Sequence, residues 1–141
     1  MKDFAAFVDA CEAIKATGVT PVVVPNGENW TAQIFLLSSL TGYYTNNLDI
    51  TRKLSANEIK PQDLPEQVAF WENAAALVEM GFVNDDYMST MQADGEKAVA
   101  EGSAAFMCMI DGSYGNIAKA YPDKIDGLGM TTTPMWDNEE D

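Results

Sequence analysis

Apolar residues near the start of the chain, Phe4, Phe7, Val8, Cys11 and Ile14, recur at helical spacing. They predict an amphipathic helix, with Lys15 near its end and Gly18 just past it, where a left-handed residue closes many helices. Residues 19–24 are almost all apolar and predict a short strand buried on both faces, as in parallel sheets. Pro21 lacks an N–H and moves that strand toward a sheet edge. Pro25-Asn26-Gly27-Glu28-Asn29 carries turn chemistry. Asn29 is placed to cap a helix starting at Trp30, with Ile34, Leu37 and Leu40 turned inward.

Residues 41–65 are polar and irregular, with a short helix at 51–54. Asp63-Leu64-Pro65-Glu66 opens the next helix, since proline suits a first turn. On it Val68, Trp71, Ala75 and Val78 form one stripe, with Leu77 beside it, so Trp71 reads as core. Gly81 ends this helix, and residues 84–91 form a loop. A helix at 94–101 stops at Gly102, a strand follows at 104–110 and a helix at 113–121. Residues 125–130 are a last candidate strand. The pattern gives one α/β domain over residues 1–136 and an acidic tail over 137–141. Three short strands among so many helices make a small, incomplete sheet, so part of the sheet is expected from sequence outside this chain.

Composition narrows the function classes. With 141 residues, 47% of them hydrophobic, the chain has the material for a core. Its formal charge of −14 repels nucleic acid and anionic lipid. There is no histidine, which removes Ser-His-Asp triads, Cys-His pairs and His-ligated metals from what this chain can build alone. Cys11 and Cys108 read as buried free thiols. No apolar run is long enough to span a bilayer, and no signal peptide is expected in this stretch.

The most informative stretch is residues 107–117. Apolar residues end in Asp111-Gly112-Ser113-Tyr114, and a helical pattern starts at once. Strand carboxyl ends followed by helix N-termini are where α/β proteins hold ligands, because free backbone N–H groups gather there. A small polar ligand is therefore expected at this turn. Asp85-Asp86 and the terminal acidic run fit no EF-hand loop and read as solvated surface, so no metal site is expected. No pair of carboxylates is placed for glycoside hydrolysis, and no lysine or arginine lies close to Gly112-Ser113 for a phosphate. The chain is read as non-catalytic.

Four passages carry a resemblance. Residues 9–21, Asn29-Trp30, residues 77–83 (Leu-Val-Glu-Met-Gly-Phe-Val) and residues 98–121 follow one another in an order resembling bacterial extracellular solute-binding proteins of family 1. These are the sugar-type capture subunits of ABC importers. In the last passage Glu101-Gly102-Ser103-Ala104-Ala105-Phe106-Met107 and Asp111-Gly112-Ser113-Tyr114 resemble a family signature, with Ser103 in place of a lysine and Tyr114 in place of a tryptophan. The resemblance covers nearly the whole chain, but only the middle of such a protein, mostly its second lobe. It implies one lobe of a periplasmic-binding-protein-like, type II, two-lobe fold. It also implies an extracytoplasmic carbohydrate ligand, held in the full-length parent by a cell-surface lipoprotein or a periplasmic protein. Partners would be the missing lobe of the same chain and the ABC permease subunits; no cofactor is implied. A sugar ring has an apolar C–H face and a hydroxyl rim, which suits a flat aromatic below and polar groups around. On that basis Trp30 and Tyr114 are the expected stacking residues. Asp111 and Gln33 would serve the rim, Gly112 and Ser113 would offer backbone donors, and Tyr43 is a further ligand candidate. The alternative is a stand-alone, non-catalytic acidic interaction module that reuses the lobe. An apolar surface is expected to be exposed where the missing parts would sit.

Overall fold

The structure, a computed structural model, describes residues 3–34, 37, 44–132 and 134–135. Helix α1 (Phe4–Lys15) starts where an oxygen is available to cap it, the Asp3 carboxylate accepting from the Ala6 N–H at 2.8 Å. It buries Phe4, Phe7 and Cys11, and the chain turns out of it through Gly18 at φ +85°. Strand β1 (Thr20–Val23) follows with Pro21, Val22 and Val23 buried. It pairs in parallel with β2 (Ala104–Met107), Val22 opposite Phe106. Val22 is also bridged in parallel to Val83. Since one residue carries both partners, β1 runs between Val83 and β2.

The connections are two crossovers. Helix α2 (Leu48–Ser55) and helix α3 (Pro65–Glu79) lie between β1 and Val83. Helix α4 (Gln92–Glu101) then carries the chain to β2, and helix α5 (Gly112–Ala120) follows β2. Pro65 occupies the start of α3, Gly81 leaves it at φ +66°, and Gly102 leaves α4 at φ +76°. Lys15 Nζ donates to the Met80 carbonyl at 2.6 Å and stands 5.5 Å from the centre of the Phe82 ring. One cation thus meets the negative end of α3 and an aromatic face together.

The core gathers Phe4, Phe7, Cys11, Val22, Phe70, Leu77, Phe82 and Met135. Met135 is fully buried, and its carbonyl accepts from Asn73 Nδ2 at 2.8 Å, which fastens this late segment to α3. Neither cysteine is in a disulfide; Cys11 is buried and Cys108 half-buried. Burial pushes the Cys11 thiol from an ordinary 9.0 up to about 11. The unfolded chain therefore releases this proton first, and the thiol's contribution to stability falls as pH rises between those values. Urea titrations at pH 8 and pH 10.5 are expected to show a loss for the native chain that is smaller in Cys11→Ala. An equal pH dependence in the two would refute that assignment.

Several expectations need correction. Asn29 is not the cap: the helical stretch opens one residue later than expected, as a 3₁₀ turn at Thr31–Gln33 held by the Thr31 N–H and hydroxyl donating to the Glu28 carbonyl, and Ile34 and Leu37 beyond it are helical. Ile34 is buried as expected, Leu37 is 47% exposed, and Leu40 lies outside the described residues. The helix read at 51–54 begins at Leu48, where the Asp49 carboxylate pairs with Arg52 at 2.9 Å and Lys53 at 2.7 Å. Trp71 is not core; it is 50% exposed. Helix α3 is apolar on two faces, and the one that meets β1 carries Phe70, Ala74 and Leu77. The stripe Val68, Trp71, Ala75 and Val78 lies along two grooves, with Trp71 and Val78 exposed. Residues 125–130 form no strand. Ile125–Gly127 is one 3₁₀ turn, and Leu128 beyond it has extended backbone. Two glycines, at 127 and 129, weaken strand formation there. β2 also stops at Met107, short of Ile110. The acidic tail lies outside the described residues.

Candidate functional site

Because β1, Val83 and β2 run parallel, the chain leaves all three at one edge of the sheet. The loops starting at residues 24, 84 and 108 therefore share a rim. The chain passes from β1 to Val83 on one side and reaches β2 on the other, which makes the gap beside β1 the natural crevice of an open α/β sheet.

Two loops of that rim are locked together. Asn84 Oδ1 accepts from the Val24 N–H at 2.8 Å, while Asn84 Nδ2 donates to Asp86 Oδ1 at 2.8 Å and to Thr90 Oγ1 at 2.9 Å. The hydrogen bonds from Asn84 and then Thr90 hold the Asp86 carboxyl below its ordinary value. The Gly27 N–H donates to the Thr90 carbonyl at 2.9 Å. A Cβ on Gly27 would come within 2.6 Å of the Ser89 carbonyl oxygen, so only glycine allows this approach.

The third loop is joined through Gln92, the first residue of α4. Its backbone N–H donates to Glu28 Oε2 at 3.0 Å. Its side-chain Nε2 donates to Glu96 Oε1 at 2.7 Å and to Ser113 Oγ at 3.1 Å. Asn116 Nδ2 donates to the same Glu96 oxygen at 2.9 Å. Glu96 and Ser113 are both buried. The carboxylate orients the Gln92 amide, because an ionised Glu96 can only accept. A continuous polar chain, Glu28–Gln92–Ser113, thus links the loop after β1 to the start of α5.

Ser113 and Tyr114 line a cleft of about 450 Å³ beyond the end of β2. Its walls include Phe106, Met107, Met109, Ile117, Leu128 and Met130. The Tyr114 side chain is 38% exposed.

The expected site residues divide accordingly. Ser113 and Tyr114 line the cleft. Gly112 is the first residue of α5 and Asp111 the exposed residue before it; the Asp111 side chain makes no capping bond, and neither residue lines the cleft. Trp30, 37% exposed, and Gln33, also exposed, sit in the loop after β1 and are absent from the cleft wall. Tyr43 lies outside the described residues. Sequence reasoning missed Gln92, Glu96 and Asn116. The i, i+4 spacing of Gln92 and Glu96 was a signal that they share a helix face, but nothing in the chain tied that face to Ser113. Among the described residues no group of three or more acidic or cysteine side chains could hold a metal ion, and no helix is long and apolar enough to cross a membrane. Comparison with known protein families, characterised proteins and solved structures finds no match to this α/β chain.

Proposed function

We propose that this chain forms one wall of a carbohydrate-binding cleft in an extracellular solute-binding protein that delivers sugar to an ABC importer. The observation that carries this reading is the half-exposed Tyr114 ring next to the hydrogen-bonded Ser113, at the carboxyl edge of a parallel strand pair. An aromatic face and nearby hydroxyl partners are what a pyranose ring uses. A second lobe of the same protein would supply the opposing wall, and closure of the two by a hinge would exclude water. The closed form would then dock on the permease outside the cytoplasmic membrane.

With one wall only, sugar binding by this chain is expected to be weak, with Kd above about 1 mM, or about −4 kcal/mol. Titration of the isotope-labelled chain with a mono- and oligosaccharide panel, followed by NMR, reads affinities of that size. Shifts are expected at Ser113 and Tyr114, and Tyr114→Ala is expected to weaken them about tenfold, or about 1.4 kcal/mol. A folded chain that shows no shift at these residues with any sugar at 50 mM, roughly fifty times that Kd, would refute the reading.

A further inference from the structure

The cleft is built for more than a sugar ring. It measures about 450 Å³, within the roughly 300–1,000 Å³ of small-molecule sites. Its lining includes the side chains of Phe106, Met107, Met109, Ile117, Leu128 and Met130, with Thr131 and the backbone at Gly127 and Gly129 beside them. A pyranose hydroxyl set against the apolar side chains would cost about 1–3 kcal/mol if left without a partner. Tyr114, at the exposed side of the wall, is where a ring could keep its hydroxyls in water.

Among the described residues the wall holds no charged side chain. Glu96 stands behind Ser113, occupied by Gln92 and Asn116. An anionic amphiphile would find no cation there, and the chain's own charge of −14 would oppose it. An anionic ligand is therefore disfavoured. Ser113 then sets one polar contact. Its oxygen accepts from Gln92 Nε2, and among the described residues its hydroxyl hydrogen has no acceptor. Glu96 keeps the Gln92 amide from flipping, so Ser113 presents a hydrogen-bond donor to whatever occupies the cleft.

We propose that this cleft takes a neutral glycoside: an apolar aglycone among the methionines, an ether oxygen on the Ser113 hydroxyl and the sugar ring on Tyr114. The proposal rests on the carbohydrate reading above and names the class of carbohydrate. Methionine is suited to such a wall, because its unbranched, polarisable side chain adapts to flat or irregular apolar groups.

The test is NMR of the chain labelled at methionine methyls, titrated separately with phenyl β-glucoside, methyl β-glucoside and phenol. Phenyl β-glucoside is expected to shift Met107, Met109 and Met130 and to bind at least tenfold more tightly than either part. Met130→Ala, at a position 68% exposed and so safe for folding, is expected to weaken phenyl β-glucoside about threefold, and an unchanged affinity would overturn the aglycone site. Ser113→Ala is expected to weaken both phenyl β-glucoside and phenol, whose oxygen takes the place of the ether oxygen. Equal affinity for phenyl and methyl β-glucoside, with no shift at Met107, Met109 or Met130, would overturn the aglycone site and leave the sugar reading standing. Phenol binding as tightly as phenyl β-glucoside would overturn the proposal by making the cleft a plain apolar pocket. No binding by phenyl β-glucoside would overturn the proposal; the carbohydrate reading falls only if the wider sugar panel also fails to shift Ser113 and Tyr114.

Discussion

Phe70→Ala is expected to cost about 3–5 kcal/mol, the usual range for deleting a buried phenyl ring and leaving its cavity. Phe70 is fully buried and belongs to the cluster that joins α1, β1 and α3 through Phe4, Phe7, Val22 and Leu77. It also meets the Trp71 ring edge-to-face, with centroids 5.1 Å apart at 76°. Since domains of this size are stable by only about 5–15 kcal/mol, the variant is expected to stand close to unfolding. Urea denaturation followed by tryptophan fluorescence reads the change. Trp71→Ala, at the same helix but on its exposed face, is the control and is expected to cost under about 1.5 kcal/mol. If the two losses were equal, the assignment of the inward face of α3 would be wrong.

Asn84→Ala is expected to cost about 2–3 kcal/mol, large for one polar residue outside the core. Its side chain replaces a missing strand partner: the Val24 N–H, one residue past the end of β1, donates to Asn84 Oδ1. Truncation leaves that half-buried donor without its acceptor and removes both bonds from Nδ2. Amide hydrogen exchange at Val24 is expected to lose its protection, with the change spreading to the Gly27 amide that pairs with Thr90. Asn84→Asp separates the contributions. It keeps an acceptor for Val24 but sets a second carboxylate against Asp86, whose proton Asn84 normally helps to keep off. With the donor gone and a like charge present, the Asp86 carboxyl rises. Asp86 then loses part of what holds its proton off in the folded state, so this variant should lose less stability than the native chain as pH falls from 7 toward 4. If Asn84→Ala left both Val24 protection and the urea midpoint unchanged, the locking role of this residue would be refuted.

Both predictions concern the rim from opposite directions. The core cluster sets the angle of α3 and β1, and Asn84 fastens the loops that leave them. The cleft wall then depends on a third device, the Gln92 side chain, which reaches from α4 to Ser113 on α5. Along that line the carboxylate accepts, the amide donates and the Ser113 oxygen accepts, and no buried side-chain polar atom lacks a partner among the described residues. Such a chain of bonds holds the Ser113 oxygen in place and leaves its hydroxyl hydrogen to donate.

Local physics settled a good part of this protein before any tertiary contact. Helix α1, the buried strand after it, Pro65 opening α3, and the glycine exits at 18, 81 and 102 follow from spacing, proline's missing N–H and glycine's access to positive φ. The turn before Ser113 and Tyr114 was legible for the same reason: an apolar run that ends in Asp-Gly can continue as helix only from there. What periodicity could not decide was which of two apolar faces of α3 would be covered. Trp71 and Phe70 are neighbours with similar hydrophobicity, and only the position of β1 selects Phe70. Nor could it decide whether residues 125–130 would pair, since a strand exists only when another backbone offers a ladder, and none does so here among the described residues. The link from Glu28 through Gln92 to Ser113 spans more than eighty residues of sequence. Hydrogen bonds over that separation depend on how two helices and a loop meet at a sheet edge, and that meeting is decided by the packed structure alone.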